Sequence, residues 1–248
     1  MIVAGEVSGD MHAARLVEVL SSRMPGLRAF GIGGEQMRAA GVETVHDISD
    51  MAVMGFSEVM RRFAFFRRVF YETVRLARDR KPDAVILVDY PGFNLRFAAK
   101  AHALGLKVIY YICPQVWAWN RGRIPRMARV VDRLIAIFPF EARYFEGTGL
   151  RVDFVGHPLV DEAALAWKEP EIPLPWTGSP RIAILPGSRP HEVERILPIM
   201  WEAAGLMQKQ RSEASFLVAA PSDEIEAVTR RAMETVATGP ARWDVVAG

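Results

Sequence analysis

Short, nearly continuous apolar runs alternate along this chain with longer segments whose apolar residues recur every three or four positions. The short runs cover 1–4, 28–32, 84–89, 107–112, 133–138 and 152–155 and, beyond a proline-rich gap, 181–185, 215–219 and 243–246. Two of them, AVILVD at 84–89 and RIAIL at 181–185, are apolar almost throughout, as strands covered on both faces of a parallel sheet are. Helical spacing occupies 9–23, 55–80, 94–104, 121–131, 140–146, 191–211 and 223–237. Strand and helix in repeated alternation predict a doubly wound α/β architecture.

The gap at 168–180, KEPEIPLPWTGSP, is rich in proline and has no periodicity, so it reads as a linker between a first domain (1–167) and a second (181–248). The second has too few strand and helix candidates for a well-covered sheet and is expected to be incomplete. A strand that starts at Met1 and turns at Gly5 is short for an inner strand. The far end, Arg242–Gly248, reads as a strand entering a loop. The chain is therefore expected to be a fragment.

Composition then narrows the class. Half the residues are apolar and 24% are charged, the balance of a globular protein with a sizeable core. The 31 basic and 29 acidic residues nearly cancel, which gives no reason to expect a nucleic-acid partner. Cys113 is the single cysteine and has no internal disulfide partner, in keeping with a reducing compartment. The five scattered histidines show no ligand spacing, so no metal site is expected. No apolar run reaches the length of a membrane span, and no basic leader precedes Met1–Ala4, so a cytoplasmic location is expected.

Ligands of open α/β sheets bind outside the carboxyl ends of the strands, which directs attention to four turns. At 4–10 (AGEVSGD, with His12 beyond), Gly5 and Gly9 permit a tight turn. Ser8 or Asp10 can cap the next helix, whose N-terminus suits an anion or a sugar hydroxyl; an ordinary strand–helix turn has the same residues. At 87–94, Asp89 ends an apolar strand. Partial desolvation there can raise its pKa and fit it to take a proton from a hydroxyl, while Asn94 can cap the following helix; a plain turn residue is the other reading of Asp89. At 110–121, Gln115, Trp117 and Trp119 offer a polar hook and apolar walls for a sugar or acyl group, or packing. At 184–189, Gly187 and Ser188 allow close backbone approach before a helix and Arg189 can fork onto phosphate oxygens, without the spacing of a Walker loop.

Between the first two turns, 53–70 (VMGFSEVMRRFAFFRRVF) mixes large apolar residues with paired arginines. Phe56, Met60, Arg61, Arg62, Phe63, Phe66, Arg67, Arg68 and Phe70 form a candidate membrane-facing set, because a basic amphipathic helix lies on anionic lipid surfaces; a core helix with solvated arginines is the alternative. A second basic series, Arg121, Arg123, Arg126, Arg129 and Arg133, aligns some of its members on one helix face.

Taken together, AGEVSGD (4–10), FGIGGEQM (30–37), VMGFSEV (53–59), VDYPGFN (88–94), CPQVWAWN (113–120), PFE (139–141), FVGHPLVD (154–161) and LPGSR (185–189) resemble the lipid-A-disaccharide synthases. The resemblance implies a GT-B-type glycosyltransferase of two Rossmann-like parallel-sheet domains, the second incomplete here. An SGTATLE-like segment of the family's nucleotide-holding domain does not occur in the chain. The implied substrates are UDP-2,3-diacylglucosamine and 2,3-diacylglucosamine 1-phosphate (lipid X), joined by an inverting displacement at the inner face of the inner membrane. No cofactor is implied, since the UDP-sugar is itself a substrate. Asp89 is then expected to be the general base. Gly187, Ser188 and Arg189 would hold the diphosphate across an interdomain cleft, Ser8, Gly9 and Asp10 would line that cleft, and Gln115 and Trp117 would touch substrate. The rivals are another two-domain UDP-sugar enzyme, such as a UDP-N-acetylglucosamine 2-epimerase, and a non-catalytic membrane-associated module. Acyl-chain length and oligomeric state are not legible in the sequence.

Overall fold

The computed structural model describes residues 1–51, 63–118, 120–168 and 173–247. The chain divides into two compact units, Met1–Lys168 and Glu169–Gly248, each with its own parallel sheet and core.

The first unit runs β1 (Ile2–Ala4), α1 (Val7–Arg23), β2 (Phe30–Gly33), α2 (Glu35–Ala39), β3 (Glu43–Asp47), α3 (Ile48–Met51), α4 (Phe63–Arg80), β4 (Val85–Val88), α5 (Pro91–Ala103) and β5 (Val108–Tyr111). A 3₁₀ turn (Arg121–Arg123), α6 (Ile124–Val130), β6 (Arg133–Ala136), a second 3₁₀ turn (Glu141–Phe145), β7 (Arg151–Phe154) and α7 (Leu159–Ala166) complete it. The seven strands pair in parallel in the order β3-β2-β1-β4-β5-β6-β7. Val85, Leu87 and Val88 are fully buried, which accounts for the unbroken apolar run of β4. One apolar layer joins α1 and α2 to the sheet through Ala13, Val17 and Met37. Another joins α4, α5 and α6 through Val69, Phe97 and Met127.

β3 was not expected from the hydrophobic pattern. Its residues, ETVHD, are exposed or half-buried because the strand lies at the sheet edge and pairs with β2 alone. The short helices α2 and α3 and the largely exposed α7 were missed too. The helix expected from 94 begins at Pro91, and the one expected over 121–131 is split into a 3₁₀ turn and α6. In α4, Val69, Thr73 and Ala77 form a buried stripe at four-residue spacing, and the arginines at 67, 68, 75 and 78 are exposed.

The second unit runs β8 (Arg181–Ile184), α8 (Pro190–Gln210), β9 (Ser215–Ala220), α9 (Asp223–Glu234) and β10 (Trp243–Ala247), with parallel order β10-β9-β8. Val193, Leu197 and Trp201 of α8 and Ile225, Val228 and Ala232 of α9 share a core with Phe216 and Val218 of β9. Ser222 caps α9, its hydroxyl accepting from the Ile225 amide at 3.3 Å.

Candidate active site

In the seven-stranded sheet the strand order reverses between β1 and β4, so the turns after these two strands flank the crevice where α/β sheets bind ligands. Asp89 leaves β4 at that point with φ 43°, followed by Tyr90 with φ 46°. Two successive non-glycine residues in the left-handed region are strained and persist only where the surroundings hold them. Here the surroundings do. The Asp89 amide donates to the Tyr111 carbonyl at 3.1 Å, and its carbonyl accepts from the Tyr110 hydroxyl at 2.6 Å and the Asn94 side-chain amide at 2.8 Å. Burial drives Tyr110 well above its ordinary pKa and keeps it a donor. Burial, and next the charge of Glu6, also push the half-buried Asp89 carboxyl above its ordinary pKa, against a smaller opposing effect of the Tyr90 amide. Asn94 is not the helix cap: Tyr90 holds that position, and Asn94 lies inside α5, where its amide reaches the carbonyls of Val88 at 3.1 Å and Val3 at 3.4 Å.

The turn after β1 corrects a second expectation. Neither Ser8 nor Asp10 caps α1, which starts at Val7 after Glu6 without a side-chain cap. Asp10 is buried inside α1 and serves the neighbouring helix instead: its carboxylate accepts from the amides of Gly34 at 2.6 Å, Gln36 at 3.0 Å and Met37 at 3.2 Å. It stitches α1 to the start of α2. Gly9 is buried facing Ala4 and Val88, and Ser8 is exposed.

Beyond β5, β6 and β7 the sheet edge carries an aromatic series. Trp117 meets Phe140 edge-on at 5.0 Å, Phe140 stacks with Phe138 at 5.5 Å, and Phe138 lies 5.5 Å from the His157 ring. Gln115 is exposed beside them. Under this wall the buried Glu141 accepts from the amides of Ile137 at 3.1 Å and Phe138 at 3.0 Å. Burial raises its pKa against those two bonds, and the Trp117 and Cys113 side chains also turn toward the carboxylate, although the Trp117 indole nitrogen meets no partner at full hydrogen-bond geometry. Burial drives the Cys113 thiol far up, which makes it an inert core group. His12 is buried with Nδ1 unpartnered. Burial lowers its pKa, with Glu162 opposing and His157 adding to the shift.

In the second unit Gly187 adopts φ 131°, and a Cβ there would lie 2.8 Å from Oε2 of Glu192. The Glu192 carboxylate accepts from the Ser188 amide at 3.3 Å and from the Arg189 guanidinium at 3.1 Å. Burial would raise its pKa, but Arg189 and the Ser188 amide together hold it below the usual value. The donors expected to meet a diphosphate are thus engaged by an internal carboxylate.

A family model described as lipid-A-disaccharide synthetase matches residues 1–238. The chain belongs to the lipid-A-disaccharide synthase family. Curated relatives named lipid-A-disaccharide synthase include those of Anaeromyxobacter dehalogenans strain 2CP-C, 44% identical over 88% of this chain and 57% of the relative, and Myxococcus xanthus, 42% identical over 93% and 61%. The chain thus spans little more than half the length of these synthases. Among solved structures, an S. aureus MnaA–UDP co-structure aligns with TM-score 0.66 at 10% identity over 99% of this chain and 67% of that one. A putative UDP-N-acetylglucosamine 2-epimerase from Listeria monocytogenes aligns with TM-score 0.65 at 12% identity and the same coverages. At such identities the likeness is one of fold, the GT-B-type pair of Rossmann-like units.

Within this synthase-family chain, the candidate membrane-facing residues separate. Phe63, Arg67 and Arg68 are exposed, whereas Phe66 and Phe70 are half-buried against the core, Phe70 meeting Phe93 edge-on at 5.5 Å. That takes Phe66 and Phe70 out of a fully outward set. Phe56, Met60, Arg61 and Arg62, like Trp119, lie outside the described residues. Among the described residues no helix is long and apolar enough to cross a membrane, and no group of three or more His, Cys, Asp or Glu side chains could hold a metal ion. Sequence reasoning missed Tyr90, whose strained backbone has no local signature, and Glu141, whose only signal was its place in PFE.

Proposed function

We propose that the complete protein transfers 2,3-diacylglucosamine from its UDP derivative to lipid X, releasing UDP and forming a β-1,6-linked disaccharide 1-phosphate for lipid A. The observation that carries this reading is Asp89: a carboxylate at the switch point of the sheet, half-buried, raised in pKa, on a backbone locked by Tyr110, Tyr111 and Asn94. The family assignment supplies the reaction class.

Inversion needs one displacement. The acceptor 6-hydroxyl oxygen bonds to the anomeric carbon as the bond from that carbon to UDP breaks. Asp89 takes the hydroxyl proton, and UDP leaves with the bonding electron pair. A base raised toward the working pH suits this step, and such groups typically contribute about 10²–10⁴ in rate. Charge that grows on the diphosphate needs fixed donors, the role proposed for Arg189 and the Ser188 amide once Glu192 yields them. The Trp117–Phe140–Phe138 series offers apolar contact for sugar or acyl groups. Exposed Phe63, Arg67 and Arg68 support docking as a peripheral protein on the inner face of the inner membrane, where acylated substrates reside. The reaction calls for no cofactor.

The test is turnover by the complete gene product. UDP-2,3-diacylglucosamine with lipid X should give UDP and a disaccharide 1-phosphate by mass, and UDP-N-acetylglucosamine alone should give no epimer. Absence of the disaccharide, with epimer formed, would replace this reading by the epimerase.

A further inference from the structure

The displacement just described makes no use of the basic series at 121–133. Arg133 pairs with Asp153 at 2.6 Å, Arg121 lies over the Tyr144 ring at 5.5 Å, and Arg129 donates to the Pro125 carbonyl at 3.2 Å. Arg123 and Arg126 differ. They line a cavity of about 370 Å³ together with Asn120 and with Pro91, Gly92 and Arg96 of α5. Among the described residues no carboxylate pairs with Arg96, Arg123 or Arg126, whereas arginines such as Arg80, Arg133 and Arg230 pair closely with carboxylates. Arg96 and Arg126 are exposed and Arg123 is half-buried, and guanidinium groups do not lose their charge in proteins, so three fixed positive charges around one open cavity favour an anion there.

A separate feature points the same way. α5 begins at this cavity, and its N-cap residue, Tyr90, supplies no side-chain acceptor to the free amides of the first turn. Gly92, in that first turn, is exposed, and a Cβ built on it would meet nothing within 4 Å, so the chain is open to solvent there. An uncapped 13-residue helix and three unpaired arginines converge on one space. Planar guanidinium forks match phosphate oxygens in pairs. The volume is near the small end of ligand pockets, enough for a phosphate and part of a sugar.

We propose that this cavity is a phosphate-monoester site which, resting on the reading above, holds the 1-phosphate of the acceptor. Its place explains the benefit. Asp89 directly precedes the Tyr90–Pro91 step into α5, so an acceptor anchored here by phosphate presents the remainder of its sugar beside the base. The same chemistry occurs in the headgroups of anionic phospholipids, and the experiment separates the two sources.

The full-length protein is compared with the double variant Arg123→Gln/Arg126→Gln and with a charge-matched control, Arg121→Gln/Arg129→Gln, all checked by circular dichroism and thermal midpoint. Each is titrated with short-chain diacylglucosamine 1-phosphate, with the same lipid lacking phosphate, and with UDP, and each is sedimented with phosphatidylglycerol vesicles. The parent and the control should prefer the phosphorylated lipid by roughly tenfold or more, the weight of a charge-assisted pair of contacts. In Arg123→Gln/Arg126→Gln that preference should collapse, with UDP binding and sedimentation unchanged. A preference that survives in this variant overturns the site while leaving the glycosyltransferase reading intact, because the phosphate is then held elsewhere. Equal loss in the control overturns it as a diffuse charge effect, and loss of sedimentation with the preference intact reassigns the cavity to membrane headgroups. No preference in the parent protein also overturns it. Turnover by the complete gene product judges the glycosyltransferase reading independently.

Discussion

Gly5 and Tyr90 are packed so closely that a Cβ on the glycine would lie 2.1 Å from Cδ1 of the tyrosine ring. The contact ties the turn after β1 to the turn after β4 across the switch point, next to Asp89. Gly5→Ala must therefore push the ring aside and carry the strained Asp89–Tyr90 backbone with it. We expect a stability loss of about 1–3 kcal/mol and a fall in turnover of the full-length enzyme on the order of 10²-fold, the scale of an ångström-sized misplacement. Gly5→Ala/Tyr90→Ala should recover part of the stability lost in Gly5→Ala. Strictly additive effects in that cycle, by urea unfolding, would show that the two residues do not meet.

Asp89 must be ionised to act, and its pKa lies above the ordinary carboxylate value through burial first and Glu6 second. The acid limb of kcat/KM is then expected above the ordinary aspartate range. Glu6→Gln should move that limb to lower pH without returning it to the unperturbed value, because burial remains. The shift also has a folding consequence. A carboxyl whose folded pKa is raised favours folding while protonated, and that contribution is lost as pH rises from the unfolded value through the folded one. At neutral pH, Asp89→Asn should thus lose about 10²–10⁴ in turnover yet be more stable than the parent, helped by the tolerance of asparagine for positive φ. A destabilised Asp89→Asn in urea titrations would contradict the account.

The position of Asp89 was legible because an apolar run of the right length ends there, and a strand buried on both faces must deliver its last residue to the sheet edge. The use of Asp10 was not. Its amide donors lie 24 to 27 residues away, in a helix too short and polar to leave a periodic signal. β3 escaped for a related reason: an edge strand with half-buried polar residues carries no apolar alternation. Gly5 was read as a turn residue, and only the packed structure reveals that its missing side chain makes room for Tyr90.

Asp10 separates a structural carboxylate from a binding one. Asp10→Ala leaves three amides at the α2 N-terminus without their acceptor in a buried setting. The cost should be about 2–4 kcal/mol, with Asp10→Asn losing less because its carbonyl oxygen still accepts. Under conditions where Asp10→Asn remains folded, its KM values should match the parent's. A raised KM with unchanged stability would return Asp10 to the substrate site.

On α4, Arg67 and Arg68 are exposed while Val69, Thr73 and Ala77 face the core, so charge can be changed there without disturbing packing. Each cation near an anionic surface contributes about 1 kcal/mol. Arg67→Glu/Arg68→Glu should weaken co-sedimentation with phosphatidylglycerol vesicles by at least about thirtyfold, with the thermal midpoint unchanged. Full retention of sedimentation would remove this face from the docking surface.

Glu192 holds both groups proposed to receive the diphosphate, the Ser188 amide at 3.3 Å and Arg189 at 3.1 Å. A ligand must displace it. The barrier is low, since an exposed ion pair at this spacing contributes little to stability, whereas a diphosphate offers charge-assisted, two-pronged contacts. Glu192→Gln keeps a carbonyl oxygen for the Ser188 amide but removes the charge that competes for Arg189. UDP affinity of the full-length protein should rise, by up to about fivefold if the whole pair is forfeited on binding. Arg189→Gln should lower it by about tenfold or more. If Glu192→Gln instead weakens UDP binding, Glu192 is an organiser of the loop and not its internal competitor, and the diphosphate contacts must then form with the carboxylate still in place.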